Sequence, residues 1–158
     1  MKELILKIEL IPEKCWFSNV RSEVSPKEWD KIKKQVYSDA YYVCQICGDV
    51  GPHHPVEAHE IWDFNDKKLT QTLIGMIALC PNCHLVKHMG FANISGKRNI
   101  ATNHFIKVNN LKKDEAQNLI NDAFALWKKR SQYVYKLDIS YLKKYGINIE
   151  ILKNEKLL

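Results

Sequence analysis

The chain has 158 residues, 46% of them hydrophobic, which suits one domain with a real core. It carries a formal charge of +6 and an isoelectric point near 9.0, a balance that suits a phosphate-rich partner. No run of about 18 apolar residues occurs, so no membrane-spanning helix is expected.

The opening MKELILKIELIP is apolar, but Glu3, Lys7 and Glu9 interrupt any signal-peptide core and no small-residue cleavage site follows. A cytoplasmic location is therefore expected. In such a reducing compartment five cysteines read as metal ligands or redox groups sooner than as disulfides. Cys15, beside Trp16 and Phe17, reads as a buried thiol. Ser25-Pro26 then starts a helix over PKEWDKIKKQVYSDA, with Ser25 as cap and Trp29, Ile32 and Val36 at apolar spacing.

Cys44-Gln45-Ile46-Cys47 and Cys80-Pro81-Asn82-Cys83 are two CxxC pairs. Taken alone, CPNCH fits a c-type haem attachment site, a thiol redox motif or half of a zinc site. Haem attachment goes with export and needs no second pair, and no βαβ pattern flanks either pair to support thioredoxin-like chemistry. Two pairs together predict tetrahedral zinc ligated by Cys44, Cys47, Cys80 and Cys83, with zinc–sulfur distances of about 2.3 Å and no open position for substrate. Metal binding would then contribute to folding.

Between the pairs, VEAHEIWDF (56 to 64), a turn at Asn65-Asp66 and KLTQTLIGMIAL (68 to 79) predict a two-stranded hairpin. Pro81 opens a short helix running from Asn82 to about Met89. His84 and His88, four residues apart, share a face of that helix. The first strand carries His59 and Glu60. Zinc tying the ends of hairpin and helix would let three histidines and a carboxylate converge on a second metal.

Beyond Gly96, a helix over about Lys97 to Asn109 carries His104, read as structural or phosphate-facing. A longer helix follows from about Lys113 to Ser131, with Ala116, Leu119, Ile120, Ala123 and Trp127 as its apolar stripe. VYKLDIS reads as a strand that could pair with the N-terminal LILKIEL. Tyr141 to Tyr145 form a last helical turn ended by Gly146, and KNEKLL is expected to fray. The basic residues gather at Lys31 to Lys34, Lys67-Lys68, Lys97-Arg98, Lys112-Lys113, Lys128 to Arg130 and Lys143-Lys144. Each run alone is an ordinary solvated helix face; together they suit a nonspecific, salt-sensitive DNA track.

The succession of CxxC, a strand with His59, a second strand reading into LCPNCH and a helix continuing to LVKH resembles the HNH nuclease family over about residues 41 to 91. The resemblance implies an α+β fold: a zinc-stabilised ββα-metal core within a single domain spanning 1–158, with strand and helical flanks at 1–40 and 92–158. It implies metal-dependent hydrolysis of DNA, double-stranded in the first instance. A divalent ion (Mg2+, Mn2+, Ni2+ or Zn2+) would sit on His59, His84 and His88, and three imidazoles favour the last three over magnesium.

Two positions depart from the family pattern. Its first strand usually carries Asp-His or His-His, metal ligand first and general base second, whereas this chain has His59-Glu60. Either His59 binds metal and Glu60 is the base, or His59 is the base and Ala58 replaces the ligand. The family's middle asparagine falls at Gly75, with Asn65, Asn82 and Asp63 as substitutes. A zinc-stabilised nucleic-acid-binding module that has lost catalysis is therefore the alternative.

Overall fold

The computed structural model describes residues 2–150. It is a mixed α+β fold, in which a small sheet separates two hydrophobic cores. The segment predicted to fray, KNEKLL, lies outside the described residues.

The N-terminal segment runs without regular structure to a 3-10 turn at Glu13–Cys15. Two short-range caps then set the first helices. Asn19 accepts a hydrogen bond from the Ser22 backbone at the start of α1 (Val20–Glu23). Ser25 and Glu28 form a reciprocal capping box at the start of α2 (Pro26–Asp39), with Pro26 in the first turn, where its missing N–H costs nothing. Beyond Ala40, Tyr41 and Tyr42 adopt left-handed backbone angles (φ 53° and 58°), turning the chain sharply into the first CxxC.

β1 (Glu57–Asn65) and β2 (Thr70–Leu79) pair antiparallel, with Glu57 opposite Leu79 and Asn65 opposite Thr70. Asn65 Oδ1 accepts from the backbones of Lys67 and Lys68, which makes it the residue that shapes the hairpin turn. The register slips between Ile61 and Trp62, leaving Ile74 as an extra residue on β2. α3 (Pro81–Lys87) and α4 (Met89–Ile94) follow, hinged at His88, and then α5 (Arg98–Asn109) and α6 (Lys113–Arg130). The expected helix ending near Met89 is thus broken one residue earlier, where His88 leaves helical angles (φ −99°, ψ 52°).

The tail strand β3 (Lys136–Asp138) exists, but its partner differs from the expected one. It pairs parallel with Thr70–Thr72 of β2, giving the sheet order β1-β2-β3. The N-terminal LILKIEL is not a strand; at Ile5 and Leu6 its backbone groups bond a side chain instead of a neighbouring strand. Asn109 Oδ1 accepts from the N–H groups of Ile5 (2.9 Å) and Leu6 (3.0 Å), and its Nδ2 donates to the Leu6 carbonyl (2.9 Å). One buried amide so does the work of a neighbouring strand. The last turn, a 3-10 helix at Ser140–Tyr145, ends at Gly146 in the left-handed region (φ 74°) as expected.

Alternation along the sheet decides which core each residue meets. Ala58, Trp62, Leu73 and Ala78 meet α2 and the C-terminal turn; Ile77 and Leu79 meet α3, α5, α6 and Leu6. The predicted stripe of α6 faces the second core: Ala116 and Ile120 are fully buried and Leu119 packs beside them. Among the described residues, no helix is long and apolar enough to cross a membrane.

Candidate metal centres and the cleft beside them

The two CxxC turns meet. The sulfurs of Cys44, Cys47, Cys80 and Cys83 lie within 4.8 Å of one another, so they could hold a metal ion such as zinc. The turns are shaped for thiolates: the Cys47 backbone N–H points at Cys44 Sγ (3.5 Å) and that of Cys83 at Cys80 Sγ (3.4 Å). The Cys44 thiol is pushed down to about 4, chiefly by its hydrogen bond with Cys83, while burial pushes Cys47 up to about 12. The Cys44 thiolate is easily made while those of Cys47 and Cys83 are not, the situation that a divalent cation among four sulfurs resolves. Cys15 is buried apart from the cluster, as its sequence context suggests. His104, on α5, places Nε2 3.1 Å from Cys83 Sγ, so it serves the cysteine cluster.

The second cluster is made of His59, His84 and His88, whose ring nitrogens also fall within 4.8 Å of one another. β1 brings His59 to the α3 face of the sheet; α3 brings His84, and the break after it brings His88. His84 Nε2 and His88 Nε2 are 3.1 Å apart, and the His59 ring stands edge-on to both, with centroids 5.3 and 5.2 Å away. Burial lowers the affinity of His59 for a proton, and burial together with the neighbouring His84 and His59 pushes His88 down to about 3. Neutral imidazole is the form that ligates metal, so this nest fits an ion whose preferences run to nitrogen.

Carboxylates behind the rings are the part that sequence reading misses. Glu57, at the start of β1, bonds His84 Nδ1; in the neutral ring this directs the Nε2 lone pair inward. Glu9, from the N-terminal segment, reaches His59 Nε2 with Oε2 (3.3 Å) and accepts from Lys87 Nζ with Oε1 (3.0 Å). Lys87 is itself buried, only 6% exposed. The only signal for these partners is polar residues within apolar stretches, Glu9 in LILKIELIP and Lys87 in LVKH. Neither says what it meets.

Glu60 points to the opposite face of the sheet from His59, yet both line one cleft of about 710 Å³. β1 is an edge strand, so residues from both of its faces can reach one cleft around its free side. The Glu60 carboxylate accepts from the Val20 N–H at the start of α1 (3.3 Å), and burial raises it to about 7. Gly75 pairs with Ile61 beside the bulge, where a Cβ would come within 3.3 Å of Ile61 Cδ1. Of the substitutes for the expected asparagine, Asn82 lines a second concavity with His84 and His88, Asp63 is exposed in β1, and Asn65 is occupied in the hairpin turn.

Several basic runs are engaged within the fold. Lys33 and Lys34 face Asp30, Lys31 Nζ donates to the Tyr145 carbonyl, and Arg130 forms a two-pronged pair with Asp66. In comparisons with known proteins, the chain matches no family model, no curated protein and no solved structure.

Proposed function

We propose that this chain is a metal-dependent endonuclease of the HNH kind, hydrolysing phosphodiester bonds in DNA, with a structural zinc on its four cysteines. The observation that carries the reading is the convergence of His59, His84 and His88 from a strand and its following helix, with Glu60 in the same cleft.

A divalent ion on the three histidines would supply Lewis-acid stabilisation of the charge that develops on the phosphate and on the leaving oxygen. The chain's own groups do the rest. Burial keeps the proton off His59 and His88, leaving ring nitrogens to ligate; Glu57 holds the ring of His84 and Glu9 that of His59. Glu60 follows His59 directly, opens onto the same cleft and is the group to take a proton from the attacking water. Its contacts with the Val20 N–H and the Trp62 side chain keep the carboxylate in place beside the cleft. Because His59 stands among the other two rings and pairs with Glu9, it suits ligation better than proton transfer.

Gly75, at the position of the family's asparagine, and Glu60, in place of a histidine, favour a second reading, a binding module without catalysis. The two are separated by incubating DNA with the zinc-loaded protein in Mg2+, Mn2+, Ni2+ or added Zn2+. Cleavage that slows by roughly 10²–10⁴ in Glu60→Gln supports the nuclease reading and the role of Glu60. Binding without cleavage in every metal supports the second.

A further inference from the structure

The cleft that holds Glu60 and the three histidines is unlike a groove built for a duplex backbone. Its walls are aromatic: Trp16, Trp29, Phe91, Phe124 and Trp127 line it, and among the described residues Arg21 is its lone arginine or lysine. Two of the tryptophans are pinned by their polar edges. Trp16 Nε1 and Trp127 Nε1 both donate to the carbonyl of Ile11, at 2.9 and 3.0 Å. With the N–H groups satisfied inside the protein, these rings offer apolar surface to the cleft. Trp16 remains 53% exposed, and Phe91, on α4, 56%.

The histidines sit where this cleft meets a second concavity. His84, His88 and Phe91 line both, and the second is completed by Glu57, Asn82 and Lys97. A nucleic-acid strand whose phosphate rests at the histidines would therefore have its neighbouring nucleotide on the aromatic side and its onward backbone beside Lys97.

An intact duplex keeps its bases stacked inward and presents sugars and phosphates, for which an aromatic wall has little to offer and a basic one much. An unstacked base has a π-face that aromatic side chains bind whatever its identity. We infer that the substrate carries an unpaired nucleotide next to the scissile phosphate, held against Phe91 and Trp16: a single strand, a flap or a bulge in preference to fully paired DNA. The inference rests on the nuclease reading for the place of the phosphate, and it narrows the substrate of that same site.

The test separates the two claims by measuring binding apart from cleavage. Zinc-loaded full-length His59→Ala protein, and the same protein carrying Phe91→Ala or Phe91→Trp, would be titrated at fixed salt. The probes are a single strand, a blunt duplex and a duplex with one bulged 2-aminopurine. The expected result is tighter binding of the single strand and the bulge than of the duplex, with 2-aminopurine fluorescence quenched on binding. Phe91→Ala should weaken the unpaired probes by roughly tenfold, within the range of one base–aromatic stack, and leave the duplex unchanged. Phe91→Trp should restore the preference. Because Phe91 is exposed, loss of folding would not explain such a selective change. Equal affinity for paired and unpaired probes, or binding that ignores Phe91, overturns the inference, as does no binding at all. If wild type cuts no DNA in any metal but the preference holds, the hydrolytic reading fails and what stands is the preference of this cleft for an unpaired nucleotide. If wild type cuts fully paired duplex as fast as the other substrates, the reverse is true.

Discussion

Replacing Glu9 by glutamine tests the outer layer of the histidine cluster, because one carboxylate there serves two partners. Its Oε1 accepts from the buried Lys87 ammonium at 3.0 Å, and its Oε2 meets His59 Nε2 at 3.3 Å. Removing one member of a fully buried ion pair costs about 3–5 kcal/mol, because the remaining charge is stranded. Lys87 is close to that limit, with 8% of its side chain exposed, but Glu9 keeps 33%. Solvent screening therefore lowers the expected loss for Glu9→Gln to about 2–3 kcal/mol. The second effect is separate: losing an outer carboxylate typically weakens metal binding by about 10–100-fold. Urea unfolding and calorimetric titration with Ni2+ or Zn2+, on protein with its cysteine site already filled, would measure the two. Adding Lys87→Met to Glu9→Gln removes the stranded charge, so it should recover most of the stability and none of the metal affinity. The reasoning fails if Glu9→Gln changes stability by less than about 0.5 kcal/mol and leaves the metal affinity at the histidines unaltered.

Asn109→Ala strips the N-terminal segment of the amide that bonds Ile5 and Leu6. Leaving the buried Leu6 groups and the half-buried Ile5 N–H unpaired should cost about 1–3 kcal/mol in urea unfolding and speed hydrogen exchange in residues 5 and 6. Stripping the cysteine site with a strong chelator, or Cys80→Ala, should lower the melting temperature by roughly 10 °C or more, with zinc release measured by a colorimetric dye. The Arg130 guanidinium and the Tyr135 hydroxyl beside Asp66 hold its carboxyl below the usual range. The unfolded carboxyl titrates near 3.9, so this contribution is complete above about pH 4 and disappears as pH falls through the lower folded value. With Asp66 about half exposed, 48%, the pair contributes less than about 1 kcal/mol. Asp66→Asn should flatten the acid limb of the stability profile by that amount and leave neutral-pH stability lowered by the same.

What the sequence makes legible is what short spacing can carry. Each CxxC is a turn whose geometry depends on four residues, and the His84–His88 pair depends on one helical turn. Capping at Ser25, the hairpin turn at Asn65 and the stripe of α6 are equally local. Partners fixed by the tertiary fold are not legible. Glu9 meets residues 50 and 78 positions away, and nothing in LILKIEL distinguishes a strand from a segment held by Asn109. The composition of that segment suits a strand, but at Ile5 and Leu6 its backbone bonds go to a side chain from α5. The tail strand shows the same limit: its residues mark it as extended, while the choice of β2 as partner depends on where α6 ends. The extra residue Ile74 escapes for a different reason, since a bulge changes the register between strands and leaves each strand's composition ordinary.

The central claim, that three histidines on a strand and helix hold the ion that makes this chain a nuclease, is tested most directly by one paired measurement. Zinc-loaded wild type and zinc-loaded His59→Ala would be incubated with supercoiled plasmid at low salt in Mg2+, Mn2+ or Ni2+, with a chelator control and circular dichroism to establish that both are folded. The account predicts metal-dependent nicking by wild type that is lost in the folded variant. Cleavage that persists in folded His59→Ala, or that needs no added metal in wild type beyond the structural zinc, would contradict it.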